Sequence, residues 1–321
     1  MTQTQPIDPA AGGERPTDDL VLPFQVGESA VRGRLARLGD VVDDVLRRQN
    51  LPAPVAELVG EATALVAMLG SSLKFDGRLT LQAQGDGPVP MLVADYAAGG
   101  GVRATASLAD GAEAALREAG ADRGLAALLG KGHMAMTIDQ GAEMERYQGV
   151  TPIEGDSLSE AAIGYFNQSE QIPTVLRLAV GRVSRPGAEE VWRAGGVMVQ
   201  FMPGEGGTRE RGEEVVLADD DQEAWDRASA LMQTTETDEL LDPGLAAEQL
   251  LYRLYHEDGV RVFDPVEASF FCSCSRQKIA SVLARYEPHE IADMAEDGVI
   301  TASCDFCRTE YRFDAEGAGA L

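Results

Sequence analysis

Cysteine, histidine and tryptophan are scarce in this 321-residue chain, at four, three and two copies, and the cysteines all lie near the C-terminus. Basic residues are short as well: 27 Lys and Arg stand against 53 Asp and Glu, a formal charge of -26. Most of the surface therefore repels phosphate backbones, which argues against nucleic-acid binding. No apolar run approaches the roughly 18 residues of a membrane-spanning helix, so no membrane association is expected. The opening Met1-Thr2-Gln3-Thr4-Gln5-Pro6 has neither a basic n-region nor an apolar core. The expected address is the cytoplasm, where thiols stay reduced and two disulfides of a secreted protein have no place.

What is present is 44% hydrophobic residues, with 6% aromatics, enough for a largely aliphatic core. The four cysteines fall in two tight pairs, Cys272-Ser273-Cys274 and Cys304-Asp305-Phe306-Cys307, about thirty residues apart. That spacing suits four ligands on one metal ion. Zn²⁺ takes four thiolates tetrahedrally and imposes no d-electron geometry, with iron the main competitor for such a set. The expectation is one Zn²⁺ per chain, held by Cys272, Cys274, Cys304 and Cys307. A closed shell of four sulfurs leaves no position for a substrate, so the site is structural unless the sulfurs themselves react. Arg276, Lys278 and Arg308 lie beside the ligands, either moderating their charge or as ordinary surface cations.

Residues 1–18, rich in Pro, Gly, Thr and acids, read as a disordered tail. Order is expected from Leu20 onward. Val31 to Leu38 alternates like a half-solvated strand, Asp40 opens a helix, and Val55, Leu58, Val59, Ala62, Leu65, Val66 and Leu69 mark a buried one. Strands follow at Leu79–Gln84 and Met91–Tyr96 around a Gly85-Asp86-Gly87-Pro88 turn, and further strands at 102–107, 134–138, 146–150, 175–183 and 196–202. Ser157, three residues before Glu160, is set to cap a helix carrying Ala161, Ala162 and Tyr165. The pattern indicates an α+β fold with mainly antiparallel pairing across residues 19–204.

Residues 205–270 carry roughly 18 acids against about 5 bases, a composition that suggests a solvated linker. Yet Trp225, Ala228, Leu231 and Met232 share one helical face, as do Ala247, Leu250, Leu251, Leu254 and Tyr255. Such helices need a surface to bury their stripe, so a marginally stable helical linker docked on the first domain is expected. Residues 271–314 form the small zinc module, with Ile279, Val282, Leu283 and Tyr286, then Ile291 and Met294, as its expected inward faces. Too small to fold unaided, the module relies on ligation worth ~10–16 kcal/mol in small zinc domains. Residues 315–321 are a tail.

The two cysteine pairs, with Glu296-Asp297-Gly298 between them, resemble the redox-switch domain of the heat-shock protein 33 family. Upstream, Gln84-Gly85-Asp86-Gly87-Pro88, Glu145-Arg146-Tyr147-Gln148-Gly149-Val150, Tyr165-Phe166-Asn167-Gln168-Ser169-Glu170-Gln171, Gly195-Gly196-Val197-Met198 and Tyr252-Arg253-Leu254-Tyr255-His256-Glu257 resemble the same family in the same order. The resemblance runs from about Phe24 to Phe313. It implies an ATP-independent holdase chaperone, not an enzyme. In the family's scheme the reduced, zinc-bound form is inactive; oxidation releases zinc, loosens the linker and exposes apolar surface to unfolding client proteins, with a homodimer as the active form. Carried over, it makes Cys272, Cys274, Cys304 and Cys307 both metal ligands and redox sensors, with disulfides Cys272–Cys274 and Cys304–Cys307. Spacing alone leaves three pairings open. The Asp219-Asp220-Asp221 run departs from the family by its acidity.

Two other readings accommodate the cysteines. A constitutive zinc-containing interaction module would bind its partner equally in either redox state. A thiol oxidoreductase acting through Cys304 and Cys307 would turn over dithiol substrates. Other strings carry less: Ser71-Ser72-Leu73-Lys74 reads as the end of the buried helix, without the partner motifs of penicillin-recognising enzymes. His289, although between the cysteine pairs, reads as a solvated helix-end residue, since four cysteines complete the shell.

Overall fold

The computed structural model describes residues 5–6, 18–73, 77–118, 124–141, 144–184, 187, 189–202 and 219–315. The expected boundary at Pro203-Gly204, the acidic stretch 205–218, residues 316–321 and most of the first 17 lie outside them.

Pro52 opens the helix Ala53–Gly70, whose side chains are buried at every position except Ala53, Glu57 and Glu61. By length and composition this helix is apolar enough to cross a membrane. Glu57 and Glu61 interrupt the apolar run in the sequence, which is why no such stretch was expected. Here the helix lies between two sheets and forms the centre of the core. The first sheet runs in the order Gln5–Pro6, Val260–Val262, Leu20–Val26, Val31–Leu38, Val191–Phe201, Thr174–Val183, with Val266–Glu267 also paired to Leu20–Val26. The second runs Ser269–Phe270, Gly101–Ser107, Met91–Ala97, Arg78–Gly85, Gly132–Asp139, Tyr147–Pro152. Among the described residues, every pairing is antiparallel except that of Ser269–Phe270 with Gly101–Ser107. The α+β class with antiparallel strands and interspersed helices is as the sequence indicated.

Period two decides what each strand face covers. Along Leu20–Val26, Val21 points into the central core, whereas Leu20, Leu22, Phe24 and Val26 point to the opposite face. That second face is roofed by three helices of the acidic segment, Asp219–Gln233, Thr237–Leu241 and Ala247–Tyr255. Ala228, Met232, Leu240, Leu250, Leu251, Leu254 and Tyr255 close over it, with the Tyr255 ring 5.7 Å from that of Phe24. The chain then threads back through both sheets, at Val260–Val262 and Val266–Glu267 in the first and at Ser269–Phe270 in the second. Cys272 follows two residues later.

Helix ends are set by side chains near and far. Ser157 accepts a hydrogen bond from the Glu160 N–H at 3.2 Å, the cap its spacing indicated. Asp40–Gln49 is capped instead from 21 residues away: Asp19 accepts from the N–H groups of Gly39, Asp40 and Val41. Asp18, at the end of the expected tail, is also engaged, pairing with Arg193. Ser71 and Ser72 donate to the carbonyls of Met68 and Leu69 at the end of the central helix, as their place there suggested, while Lys74 lies outside the described residues.

Glu57 and Glu61, one turn apart, line a cavity of about 100 Å³ with Leu125, Leu128, Asp156 and Leu158. Burial, and then the charge of Glu57, raises the Glu61 carboxyl from 4.5 to about 7. A carboxylate raised on folding is protonated first in the native state. Its contribution is therefore favourable at low pH and is lost as pH climbs from 4.5 to about 7. Glu61→Gln is expected to flatten this dependence, with thermal melts at pH 5 and pH 8 drawing together by a few degrees, equivalent to about 1–3 kcal/mol. Equal pH dependence in wild type and variant would show that Glu61 ionises normally.

Residues 271–314 form their own small cluster of Ala280, Leu283, Ile291, Ile300 and Phe313. The two helices expected between the cysteine pairs are present, at Arg276–Leu283 and Pro288–Met294, and the hairpin Val299–Ser303 with Glu310–Asp314 completes the module. Their inward faces are as expected in part: Leu283 and Ile291 are buried and Ile279 packs against the cluster, but so small a hairpin covers only one narrow stripe, which takes in Ala280 and leaves Val282, Tyr286 and Met294 exposed.

Candidate metal centre

Both cysteine pairs sit on backbone shaped for close approach. Cys272 and Cys274 occupy the extended segment leading from Phe270 into the helix Arg276–Leu283, whose first turn is capped by Ser275. Cys304 and Cys307 lie in the tight turn between the two hairpin strands. The Arg308 N–H donates to the Cys304 carbonyl at 2.8 Å, and Arg308 takes the left-handed conformation that reverses the chain.

The four Sγ atoms all lie within 4.8 Å of one another. Cys272 is 3.6 Å from Cys304, and Cys274 is 3.4 Å from Cys307, so sulfurs of the two pairs stand in contact with each other. Four thiolates at roughly 2.3 Å from a central zinc would stand about 3.8 Å apart. The donor set therefore fits a tetrahedral metal by number, chemistry and spacing. His289 is exposed and outside it.

The thiols are unequal. Burial pushes those of Cys272, Cys274 and Cys304 up from their ordinary value. Burial opposes ionisation of Cys307 too, but hydrogen bonds from the Thr309 hydroxyl and backbone N–H, and then from its thiol neighbours, bring it down to about 6. The four thiols titrate as one coupled set, in which the Thr309 contacts favour the thiolate at Cys307. Tyr311 Oη lies 3.2 Å from Cys274 Sγ, and that hydrogen bond pushes the Tyr311 phenol up to about 12. Of the three nearby cations, Lys278 donates to the Ser273 carbonyl at 2.6 Å, Arg276 stacks on Phe313 and donates to the Arg312 carbonyl, and Arg308 lies 3.8 Å from Asp305. Each is occupied with backbone, ring or carboxylate.

The centre is joined directly to the core. Phe306, inside the second cysteine pair, lies on the guanidinium of Arg103, with Cζ 3.9 Å from the ring centroid; Phe271, beside the first pair, lies 5.2 Å from the same carbon. Arg103 projects from the strand Gly101–Ser107 and is held by Asp95 on the neighbouring strand, at 2.8 Å from Nε and 2.5 Å from Nη2. Its remaining nitrogen, Nη1, donates to Ser273 at 3.3 Å. Two residues on, Thr105 Oγ1 stands 3.1 Å from the Asp305 carbonyl and 3.0 Å from Gln49 Oε1. A cleft of about 630 Å³ opens beside this contact, lined in part by Gln49, Leu108, Phe306 and Arg308.

Sequence reasoning did not single out Arg103, Asp95, Thr105 or Phe306. The available signals were a lone arginine within the apolar strand Val102-Arg103-Ala104-Thr105-Ala106 and an aromatic residue between two cysteines.

A two-sheet core roofed by helices, with a four-thiol module clasped to its edge, matches known chaperones. The family model described as Hsp33 protein matches residues 19–314. A 33 kDa chaperonin of Caulobacter vibrioides (strain NA1000 / CB15N) is 47% identical over 302 residues, covering 94% of this chain and 96% of that protein. One from Escherichia coli O7:K1 is 34% identical, covering 94% of each. A crystal structure of the Thermotoga maritima 33 kDa chaperonin superposes with a TM-score of 0.73 at 22% identity, over 94% of this chain and 96% of that one. The chain belongs to the Hsp33 family, a family of chaperones rather than of enzymes. Its four-cysteine cluster fits redox regulation.

Proposed function

We propose that this protein is an ATP-independent holdase of a reducing cytoplasm, switched on by oxidation of Cys272, Cys274, Cys304 and Cys307. The observation that carries the reading is the double role of residues 271–275 and 304–307, which bring four thiols together and also form the clasp on Arg103 and Thr105. Bound to these four sulfurs, Zn²⁺ supplies the cross-link that holds the two hooks of an otherwise underpacked module.

All four sulfurs are thiolates when metal-bound, and Cys307 can act as the first nucleophile. Its sulfur attacks the O–O bond of a peroxide, becoming a sulfenic acid as one oxygen leaves as water after protonation. A neighbouring thiolate then displaces the second oxygen, again as water, and the S–S bond forms. Two thiols and one peroxide thus give one disulfide and two waters. Within the C-x-x-C hook the resolving partner is Cys304, and by the same steps Cys272 joins Cys274. A disulfide sulfur is a poor metal ligand, so oxidation removes the cross-link together with the free thiols.

Loss of the module's fold withdraws Phe306 and Phe271 from Arg103. It also frees the chain behind Cys272, first Ser269–Phe270 from the second sheet, then Val266–Glu267 and Val260–Val262 from the first. The helices 219–255 then lose their downstream anchor and uncover the apolar face of Leu20, Leu22, Phe24, Val197 and Val199. Exposed apolar surface of this kind binds unfolding proteins, and the family resemblance makes the active form a homodimer.

Light scattering of a heat-unfolding client tests the proposal. The peroxide-treated chain is expected to suppress aggregation near stoichiometry and the reduced, zinc-loaded chain to leave it almost unchanged. Equal suppression by both forms would make this a constitutive zinc-containing interaction module. Catalytic turnover of a dithiol would make it an oxidoreductase.

A further inference from the structure

The face of the first sheet that packs on the central helix changes character at one end. Along Val31–Leu38, Ala36 and Leu38 point into the central core, and period two puts Arg34 and Arg32 on the same face. Register supplies their neighbours. Arg34 lies between Met198 and Pro23, and Arg32 lies between Gln200 and Gln25, with Thr174 beyond Gln200. The central helix meets this face at Gly60, beside Val180, and at Met68, beside Gly196, and it ends at Gly70. Gly196 is opposite Ala36, so Arg34 and Arg32 stand one and two rows further along.

A chain with 53 acids and 27 bases finds a carboxylate for most of its strand arginines: Asp18 for Arg37 and Arg193, Asp95 for Arg78 and Arg103, Glu190 for Arg182. Arg32 and Arg34 differ. Among the described residues, neither guanidinium has a hydrogen bond or an ion pair. Glu28, in the turn between Leu20–Val26 and Val31–Leu38, lies 3.8 Å from Arg261 instead. Arg32 is exposed and Arg34 half-buried; burial, and then the charge of Arg32, holds the Arg34 guanidinium below its ordinary pKa. Two like charges on one face, one of them partly desolvated, oppose folding until a counter-charge joins them.

The groups beside them are donors. Gln200, 7% exposed, donates from Nε2 to Thr174 Oγ1 at 3.1 Å, and Thr174 donates in turn to the Ile172 carbonyl at 2.9 Å. Gln25 Nε2 donates to the Ser29 carbonyl at 2.9 Å. Each amide keeps a second N–H. Two guanidinium groups and two amides on three adjacent strands, with no acid between them, suit one tetrahedral oxyanion.

We propose that Arg32, Arg34, Gln25 and Gln200 form a binding site for a single phosphate group, either free or carried as a monoester by a small molecule. The charge of -26 repels polyanions over most of the surface, which restricts the site to a small ligand. The site lies on the sheet face opposite the one roofed by the helices of residues 219–255, and it does not rest on the holdase reading.

The probe is inorganic phosphate, titrated calorimetrically into the reduced full-length protein, with thermal melts in phosphate and in sodium chloride of equal ionic strength. Wild type is expected to bind one phosphate per chain and to melt about 3 °C higher in phosphate than in chloride. The chloride arm removes simple screening of the repulsion between Arg32 and Arg34. Arg34→Gln is expected to bind about tenfold more weakly and to lose the phosphate-specific rise, with unchanged far-ultraviolet circular dichroism. Arg285→Gln, in the four-cysteine module and away from the site, should bind as wild type does. Equal melting in phosphate and chloride would overturn the proposal, as would wild-type affinity in folded Arg34→Gln or an equal loss in Arg285→Gln. If Arg34→Gln misfolds, Arg32→Gln at the exposed position carries the same test. Adenosine monophosphate distinguishes the two sources: tighter binding than phosphate, lost in Arg34→Gln, assigns the site to a phosphomonoester, and equal or weaker binding assigns it to free phosphate.

Discussion

Arg103→Ala is expected to produce a chaperone that is partly active while still reduced and still able to bind metal. The substitution touches no cysteine, so zinc content should stay at one per chain, as read by a chromogenic thiol-release assay. What it removes is the contact through which the module holds the core. Arg103 and Asp95 are 9% and 3% exposed, and removing one partner of a buried pair costs up to about 3–5 kcal/mol, because Asp95 then keeps only the Thr80 hydroxyl at 2.6 Å and Arg78 at 3.9 Å. The Phe306 stack, worth on the order of 1–2 kcal/mol where desolvated, goes with it. Losses of this size are comparable with the whole stability of many domains, and a docked segment has less in reserve.

Two variants separate the docking effect from general damage. Asp95→Asn in the Arg103→Ala background removes the under-compensated charge and should restore part of the core stability without restoring docking. Phe306→Ala leaves the Arg103–Asp95 pair intact and should release the module by itself, with a smaller effect. The readouts are limited proteolysis of the reduced protein within residues 219–270 and suppression of client aggregation before any oxidant is added. Cleavage at least tenfold faster than in wild type is expected for Arg103→Ala. Wild-type protease resistance would mean that the module is coupled to the linker by another route.

How much of this was legible in the sequence depends on the range over which each signal acts. The central helix, the first strands and the Ser157 cap were readable because periodicity and capping are encoded within a few residues. The four thiols were readable because a tetrahedral shell needs few residue types at restricted spacing. The short strands Val260–Val262, Val266–Glu267 and Ser269–Phe270 were not: two or three residues cannot show a period, and only the sheet edges they join define them. The same holds for Asp19, whose cap on the Asp40 helix spans 21 residues, and for Arg37 and Arg193, whose partners Leu241 and Asp242 come from a distant helix. In the module the apolar pattern fitted two helical faces. Packing against Ile300 and Phe313 chose the one with Ala280 and Leu283, leaving Val282 and Tyr286 to solvent.

Stripping metal from the reduced protein is expected to unfold residues 271–314 while the two-sheet core stays folded. The module's apolar cluster is five residues deep, whereas the core cluster draws on both sheets and the central helix. On the proposed zinc reading, ligation worth ~10–16 kcal/mol exceeds anything the module's packing supplies, and a chelator under reducing conditions reverses the balance. Hydrogen exchange should show amides of 276–294 and 299–314 losing protection by at least a hundredfold, with the strands Val31–Leu38 and Val191–Phe201 almost unchanged. The linker helices fall between these limits. If metal loss alone is the trigger, amides of 219–255 lose protection with the module, and chelated protein suppresses aggregation as oxidised protein does. If those amides stay protected until peroxide is added, disulfide formation contributes beyond metal loss, and peptide mapping of the oxidised chain becomes decisive. Cys272–Cys274 with Cys304–Cys307 leaves the two hooks free to part. The cross-pairs, which start at 3.6 and 3.4 Å in the reduced cluster, would instead tie the module shut and oppose activation.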